Sequence, residues 1–171
     1  MKKSIILVGN GSTLLDSKKG ACIDLFDTVV RFNSFKLCKY KAHVGSKTDI
    51  WFTVNIFHKN SIDEFKKVIV HRWEMNKEKC NVFESLNNLR ECEKISRSLI
   101  KSIDIDTPST GLIAIHYFLQ EYDKVHITGF DWWKTEKHHY GDEEIRGTLH
   151  NPKKEYEIIK KLINQGKVVL I

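Results

Sequence analysis

The sequence predicts an α/β layered fold with a mainly parallel central sheet. Three observations lead there. Short runs such as Ile5-Ile6-Leu7-Val8 are apolar at every position, the pattern of strands buried on both faces. Segments with apolar residues every three to four positions, or with helix-start signals, fall between those runs. Strands and helices alternate along the chain, as βαβ units require. The 171 residues suffice for one domain with a sizeable core. Neither a repeat nor a linker divides them, so a single domain over residues 1–171 is expected.

The elements follow in order. Ile5 to Val8 is the first strand and ends in Gly9-Asn10-Gly11. Turn residues continue through Lys19-Gly20. Thr28 to Phe32 reads as a second strand and Asp49 to Val54 as a third. Ser61-Ile62-Asp63-Glu64 carries Ser at a cap and Glu three residues on, a helix start, and leads to a strand at Val68 to His71. Leu89, Cys92, Ile95, Leu99 and Ile100 give helical spacing over Leu86 to Ile100. Pro108-Ser109-Thr110-Gly111 opens an apolar helix, Leu112 to Leu119. Val125 to Gly129 is a strand ending in glycine. Tyr156 to Ile163 is amphipathic and helical, Gly166 stops it, and Val168 to Ile171 is the last strand.

Composition narrows the function classes. The net charge is +6, but the lysines are scattered. No basic stripe marks a nucleic-acid surface, so no nucleic-acid partner is expected. Cys22, Cys38, Cys80 and Cys92 form no C-x-x-C pair, which argues against a zinc ribbon or redox motif and for four reduced thiols. The first apolar run is too short for a signal peptide. No stretch reaches the about 18 apolar residues of a membrane span.

In open α/β sheets ligands bind beyond the carboxyl ends of strands, and polar, glycine-bearing clusters fall there: Gly9 to Ser12, Arg31 to Asn33 and Gly129 to Asp131. Val8-Gly9-Asn10-Gly11-Ser12 permits close backbone approach to a ligand and free amides for a phosphate. It is no Walker loop, and Leu14 stands where a dinucleotide fingerprint has its third glycine. Ser109 and Thr110 read equally as helix caps and as groups facing an anion. Lys137-His138-His139-Tyr140 is followed by His150 and Glu155. Paired histidines with Asp131, Asp142 or Glu143 suggest a metal site, but the spacing fits no zinc pattern, and two histidines at the two ends of a proton transfer suit the chemistry better. Asp104-Ile105-Asp106 matches the D-x-D of metal-dependent sugar-nucleotide transferases but reads as loop charge.

In this order the clusters resemble the sialylmotifs of the sialyltransferases, the animal-type glycosyltransferase family 29. Ile6-Leu7-Val8-Gly9-Asn10-Gly11 through Val30-Arg31-Phe32-Asn33 and Val44-Gly45-Ser46-Lys47-Thr48-Asp49 resembles the long motif. Pro108-Ser109-Thr110-Gly111 through Val125-His126-Ile127-Thr128-Gly129-Phe130 resembles the short motif, His138-His139-Tyr140 the third, and His150 with Glu155 the very short motif. The resemblance implies a Rossmann-like, GT-A-variant fold. It implies inverting transfer of sialic acid from CMP-sialic acid to a glycan hydroxyl, with no metal and no cofactor beyond that donor. By the same carry-over Asn10, Gly11 and Asn33 hold the phosphate and ribose of CMP, and Ser109, Thr110 and Gly111 the cytidine and ribose. His139, assisted by Tyr140, meets the leaving phosphate, His150 is the general base, and Glu155 shapes the site beside it.

Ser4 and Tyr122 stand where the animal enzymes of the family it resembles join the long and short motifs by a disulfide, in keeping with reduced thiols. A cytoplasmic setting is therefore expected, peripheral to the inner face of a membrane bearing a glycolipid acceptor. Lipooligosaccharide is the acceptor that analogy suggests. Two alternatives stay open at this stage, a CMP-Kdo-dependent transferase and a non-catalytic CMP- or glycan-binding module. Homo-oligomerisation also stays open.

Overall fold

The computed structural model describes residues 3–54, 65–71, 91–132, 139–141 and 149–171. Among these, seven strands make one sheet: β1 (Ile5–Val8), β2 (Thr28–Phe32), β3 (Ile50–Thr53), β4 (Lys67–Val70), β5 (Glu91–Lys94), β6 (Val125–Thr128) and β7 (Val168–Leu170). Every pairing is parallel, in the order β5-β4-β3-β2-β1-β6-β7. The chain builds outward from β1 through β2 to β5, then returns to β1's other side for β6 and β7. The strand order therefore reverses at β1. That reversal opens a crevice beyond the carboxyl ends of β1 and β6, where a doubly wound sheet binds its ligands.

The unbroken apolar runs have their expected cause. Ile5 and Leu7 join one core cluster while Ile6 and Val8 join the other, because successive strand side chains point to opposite faces. On the first face lie helices α4 (Thr110–Phe118) and α5 (Pro152–Asn164). On the second lie α1 (Gly20–Asp24) and α2 (Lys41–Val44), whose Ile23 and Val44 are fully buried. The first cluster also takes in the short helix α3 (Arg97–Ser102) through Leu99 and Ile100. Helix α4 buries Leu112, Ile113, Ala114, Ile115, Tyr117 and Phe118, so it is apolar nearly all round and sits in the core. Each such large side chain contributes about 1.5–3 kcal/mol of transfer free energy.

Two boundaries differ from expectation. The helix expected over Leu86 to Ile100 is instead β5 followed by α3 from Arg97; residues 86–90 lie outside the described residues. Glu91-Cys92-Glu93-Lys94 has no apolar run because β5 is an edge strand. Its carboxylates Glu91 and Glu93 both reach Lys67 of β4, at 2.8 and 2.7 Å. Polar edges of this kind discourage further strand pairing. Helix α5 begins four residues before the expected Tyr156, because Asn151 caps it by accepting from the Lys154 N–H at 3.1 Å and Pro152 fills its first turn. The helix start read at Ser61 to Glu64 lies outside the described residues. Among the described residues no helix is long and apolar enough to cross a membrane, and Cys22, Cys38 and Cys92 are free thiols.

Candidate active site

The crevice at the reversal is a cleft of about 170 Å³. Its floor is backbone. Gly9 donates to the Thr128 carbonyl at 2.8 Å and Gly11 to the Gly129 carbonyl at 2.9 Å, so the segments leaving β1 and β6 run side by side. They are close enough that a Cβ on Gly9 would stand 2.4 Å from the Gly129 oxygen. A Cβ on Gly111 would meet the Phe130 ring at 2.6 Å. The glycines are therefore needed for close approach of three chain segments.

Four segments build the walls. Asn10 and Gly11 follow β1, Phe32 and Asn33 follow β2, and Gly129 to Trp132 follow β6. Ser109, Thr110 and Gly111 head α4, while His139, His150, Pro152 and Glu155 close the remaining side. Of the ten residues singled out from the sequence, nine border this one cleft. The exception is Tyr140, which is buried in the second core cluster. Its hydroxyl donates to the Lys36 carbonyl at 2.9 Å and its N–H to the Asn10 carbonyl at 2.8 Å, so it holds the wall from behind. His138 lies outside the described residues.

The two asparagines are oriented by the fold. Asn10 is buried and its Nδ2 donates to the Phe32 carbonyl at 3.0 Å, while its Oδ1, an acceptor, has no hydrogen-bond partner among the described residues. Asn33 has a left-handed backbone, φ 47°, a conformation that Asn tolerates better than most residues. Its Oδ1 accepts from the Val54 N–H at 2.9 Å and the Thr53 hydroxyl at 3.3 Å. The donor end of Asn33, Nδ2, is the end suited to an anionic oxygen. Another non-glycine residue with a left-handed backbone, Trp132 at φ 44°, also borders the cleft. Backbone strain of this kind gathers at functional sites.

At the head of α4, the Ser109 hydroxyl accepts from the Leu112 N–H at 3.2 Å as an N-cap. Both Ser109 donors, N–H and O–H, go to the two oxygens of Glu155, each at 2.7 Å. Ser109 therefore fixes the helix start. The amides of Thr110 and Gly111 come next, and a helix has no internal carbonyl for its first amides. With the helix dipole they favour negative charge. Burial holds the Glu155 carboxyl above its ordinary range, against the opposing pull of the Ser109 hydrogen bonds and the nearby His150.

His150 Nδ1 lies 3.0 Å from the Thr107 carbonyl. A carbonyl only accepts, so in the neutral ring the proton sits on Nδ1 and Nε2 carries the lone pair. That tautomer is the one a base needs. Among the described residues no three His, Cys, Asp or Glu side chains group as metal ligands. Neither D-x-D aspartate borders the cleft, and Asp104 is fully exposed and 3.7 Å from Lys154.

Sequence reasoning missed Phe32, Phe130, Trp132 and Pro152. The first two lie inside recognised motifs. Trp132 carries no local signal, since what marks it is a backbone angle.

Residues 3–75 and 55–167 match the family model of glycosyltransferase family 29 (sialyltransferase). The CMP-N-acetylneuraminate-beta-galactosamide-alpha-2,3-sialyltransferase 4 of Rattus norvegicus is 24% identical over 216 residues, covering 95% of this chain and 62% of its own length. The lactosylceramide alpha-2,3-sialyltransferase of Rattus norvegicus is 25% identical, over 97% of this chain and 56% of its own. A beta-1,6-galactosyltransferase of Arabidopsis thaliana is 45% identical over 56 residues, 32% of this chain and 14% of its own. The chain thus spans about three-fifths of the length of the first of these relatives. A crystal structure of a mammalian sialyltransferase in complex with Gal-beta-1-3GalNAc-ortho-nitrophenol shares the fold with a TM-score of 0.79 at 21% identity, over 99% of this chain and 69% of that one. With the family model matched along nearly the whole chain, over the same segments that build the cleft, this protein belongs to glycosyltransferase family 29, the sialyltransferases.

Proposed function

We propose that the chain transfers sialic acid from CMP-sialic acid to a hydroxyl of a glycan, with inversion and without a metal. The observation that carries this reading is the meeting of Asn10, Asn33, the head of α4, His139 and His150 around one cleft at the sheet's reversal. Asn10 meets the ribose of CMP from the cleft wall. Asn33 Nδ2 faces the phosphate, and so do the Thr110 and Gly111 amides, which the family resemblance assigns to cytidine and ribose but which stand at the positive end of α4. In the transition state the sugar gathers positive charge and the departing CMP negative charge. Donors fixed beforehand at the phosphate stabilise what develops there, at no cost of reorganisation. His139 adds a hydrogen bond to the same leaving group.

On the other face His150 Nε2 takes the acceptor's proton as its oxygen attacks the anomeric carbon. The proton on Nδ1 stays with the Thr107 carbonyl, which steadies the imidazolium that forms. A base of this kind contributes about 10²–10⁴-fold. Glu155 holds the start of α4 and places a carboxyl beside His150. A cytoplasmic setting, peripheral to a membrane carrying a glycolipid acceptor, is part of the same reading. The net charge of +6 supports it, since basic surfaces are drawn to anionic lipid.

The test has two stages. Calorimetric titration with CMP, UDP, NAD and ATP in a chelator is expected to show binding of CMP alone. CMP release is then followed with CMP-sialic acid, CMP-Kdo or UDP-galactose and a β-galactoside acceptor. Release from CMP-sialic acid in the chelator supports the proposal. Release from CMP-Kdo alone would reassign the sugar. UDP-dependent release would move the chain toward the galactosyltransferase relative. CMP binding with no release from any donor would make it a binding module.

A further inference from the structure

We infer that His71, which lies outside every motif that marks the family in this sequence, is a positioning residue for the donor end of the cleft. The inference rests on the CMP reading of that cleft. His71 follows β4, and its backbone N–H donates to the Thr53 carbonyl at 3.2 Å, so its Cα is fixed by the sheet. The residue is only 6% exposed. Its ring lies against Phe52, centroids 6.2 Å apart, and its Nε2 stands 3.0 Å from Thr110 Oγ1. Thr110 is the first residue of α4 and borders the cleft.

The first two positions of the helix start are therefore gripped from opposite sides. Glu155 of α5 takes both donors of Ser109, and His71 at the end of β4 takes the hydroxyl of Thr110. A threonine hydroxyl at a helix start has more than one rotamer, and its alternatives are bonds to nearby backbone. The imidazole selects one of them. It thereby sets where the Thr110 methyl stands relative to the ligand, and it ties the first residue of α4 to the end of β4. An apolar side chain would fill the same buried site with no polar atom to satisfy. The histidine supplies a directional hold on a residue of the cleft wall.

The experiment compares the whole protein with His71→Phe, His71→Gln, Thr110→Val and the His71→Phe/Thr110→Val pair. CMP affinity is read by calorimetry, KM and kcat with CMP-sialic acid, and thermal stability alongside. Loss of one hydrogen bond weakens binding about fivefold. His71→Phe is expected to raise the CMP Kd and the donor KM by about that factor with kcat within twofold. His71→Gln, whose amide reaches to the same place, is expected to restore most of the affinity. The paired variant is expected to bind no worse than Thr110→Val alone, the mark of a shared contact. In the unaltered protein the His71 ring nitrogen resonances are expected to move on CMP saturation and to move differently in Thr110→Val, a readout that stands even where His71→Phe does not fold. CMP affinity of His71→Phe equal to that of the unaltered protein, additive effects in the pair, or ring resonances indifferent to CMP would overturn the inference while leaving the donor reading in place. Absence of CMP binding by the folded, unaltered protein would remove the donor reading and this inference with it.

Discussion

Replacing Gly9 by alanine tests the claim that the cleft floor depends on backbone contact between the segments leaving β1 and β6. The added Cβ would stand 2.4 Å from the Gly129 oxygen and 2.9 Å from its carbonyl carbon. Such contacts are not seen below 3.0 Å, so the two segments must separate by at least 3.0 − 2.4 = 0.6 Å. Neither side can yield cheaply, because Gly9 and Gly11 are tied to Thr128 and Gly129 by bonds of 2.8 and 2.9 Å. Overpacking of this kind costs about 1–3 kcal/mol. For a chain of this size a loss of about 2 kcal/mol lowers Tm by about 4–8 °C. CMP affinity should fall about tenfold or more, since Asn10 and Gly129 both move with the floor. Gly166→Ala is the control. Gly166 also has a left-handed backbone, φ 69°, but nothing lies within 4 Å of its would-be Cβ. Its cost is conformational only, about 1 kcal/mol, with CMP affinity unchanged. Chemical denaturation and calorimetry on both variants decide the matter. A Gly9→Ala protein within about 0.5 kcal/mol of the unaltered one, binding CMP normally, would refute the reasoning.

The remaining predictions concern side chains. His150→Ala is expected to lower turnover by about 10²–10⁴-fold with CMP affinity nearly intact, whereas Asn33→Ala is expected to weaken CMP; the reverse pattern in kcat and Kd would exchange the donor and acceptor assignments. Glu155 has its pKa raised by folding, so the folded state holds the proton more tightly than the unfolded state. That contribution is complete below the ordinary value of 4.5 and is lost as pH rises through the raised value. The Tm of Glu155→Gln relative to the unaltered protein should therefore climb with pH across that window, and a pH-independent difference would count against the assignment. Arg31 is 1% exposed and donates to the Val44 and Lys47 carbonyls and the Thr48 hydroxyl, at 2.7, 3.0 and 3.0 Å. Burial lowers its pKa to about 10. Arg31→Met is expected to cost about 3 kcal/mol in denaturant unfolding by orphaning those carbonyls; a neutral change would mean the loop holds itself.

Most of the sheet was legible because a strand buried on both faces must be apolar at every position, and β1 states this with four such residues. Strand β5 was not, because it lies at the edge of the described sheet and its Glu91 and Glu93 answer to Lys67 rather than to an apolar layer. The cleft was legible where function requires backbone, at Gly9 to Gly11 and at the head of α4. It was illegible where a residue acts through one distant partner. The Thr110 that His71 touches is 39 positions away. Nothing local to His71 encodes that distance. Tyr140 illustrates the converse. Its place beside His139 in the sequence suggests a ligand contact, yet its hydroxyl is committed to Lys36.

The placement of β1 at the centre of the sheet also bears on when the protein becomes competent. β1 pairs with β6 in the register Ile6 to His126, a separation of 126 − 6 = 120 residues. The second half of the cleft, from Ser109 to Glu155, belongs to the same late part of the chain. During synthesis β1 to β3 have their neighbours early, but one flank of β1 stays unpaired until β6 has left the ribosome. Long-range parallel pairing is slow, in the millisecond-to-second range, and an unpaired strand edge invites association in the interval. The cleft is therefore among the last features to form, and a nascent chain halted before residue 125 would expose the hydrogen-bonding edge on which its own site is later built.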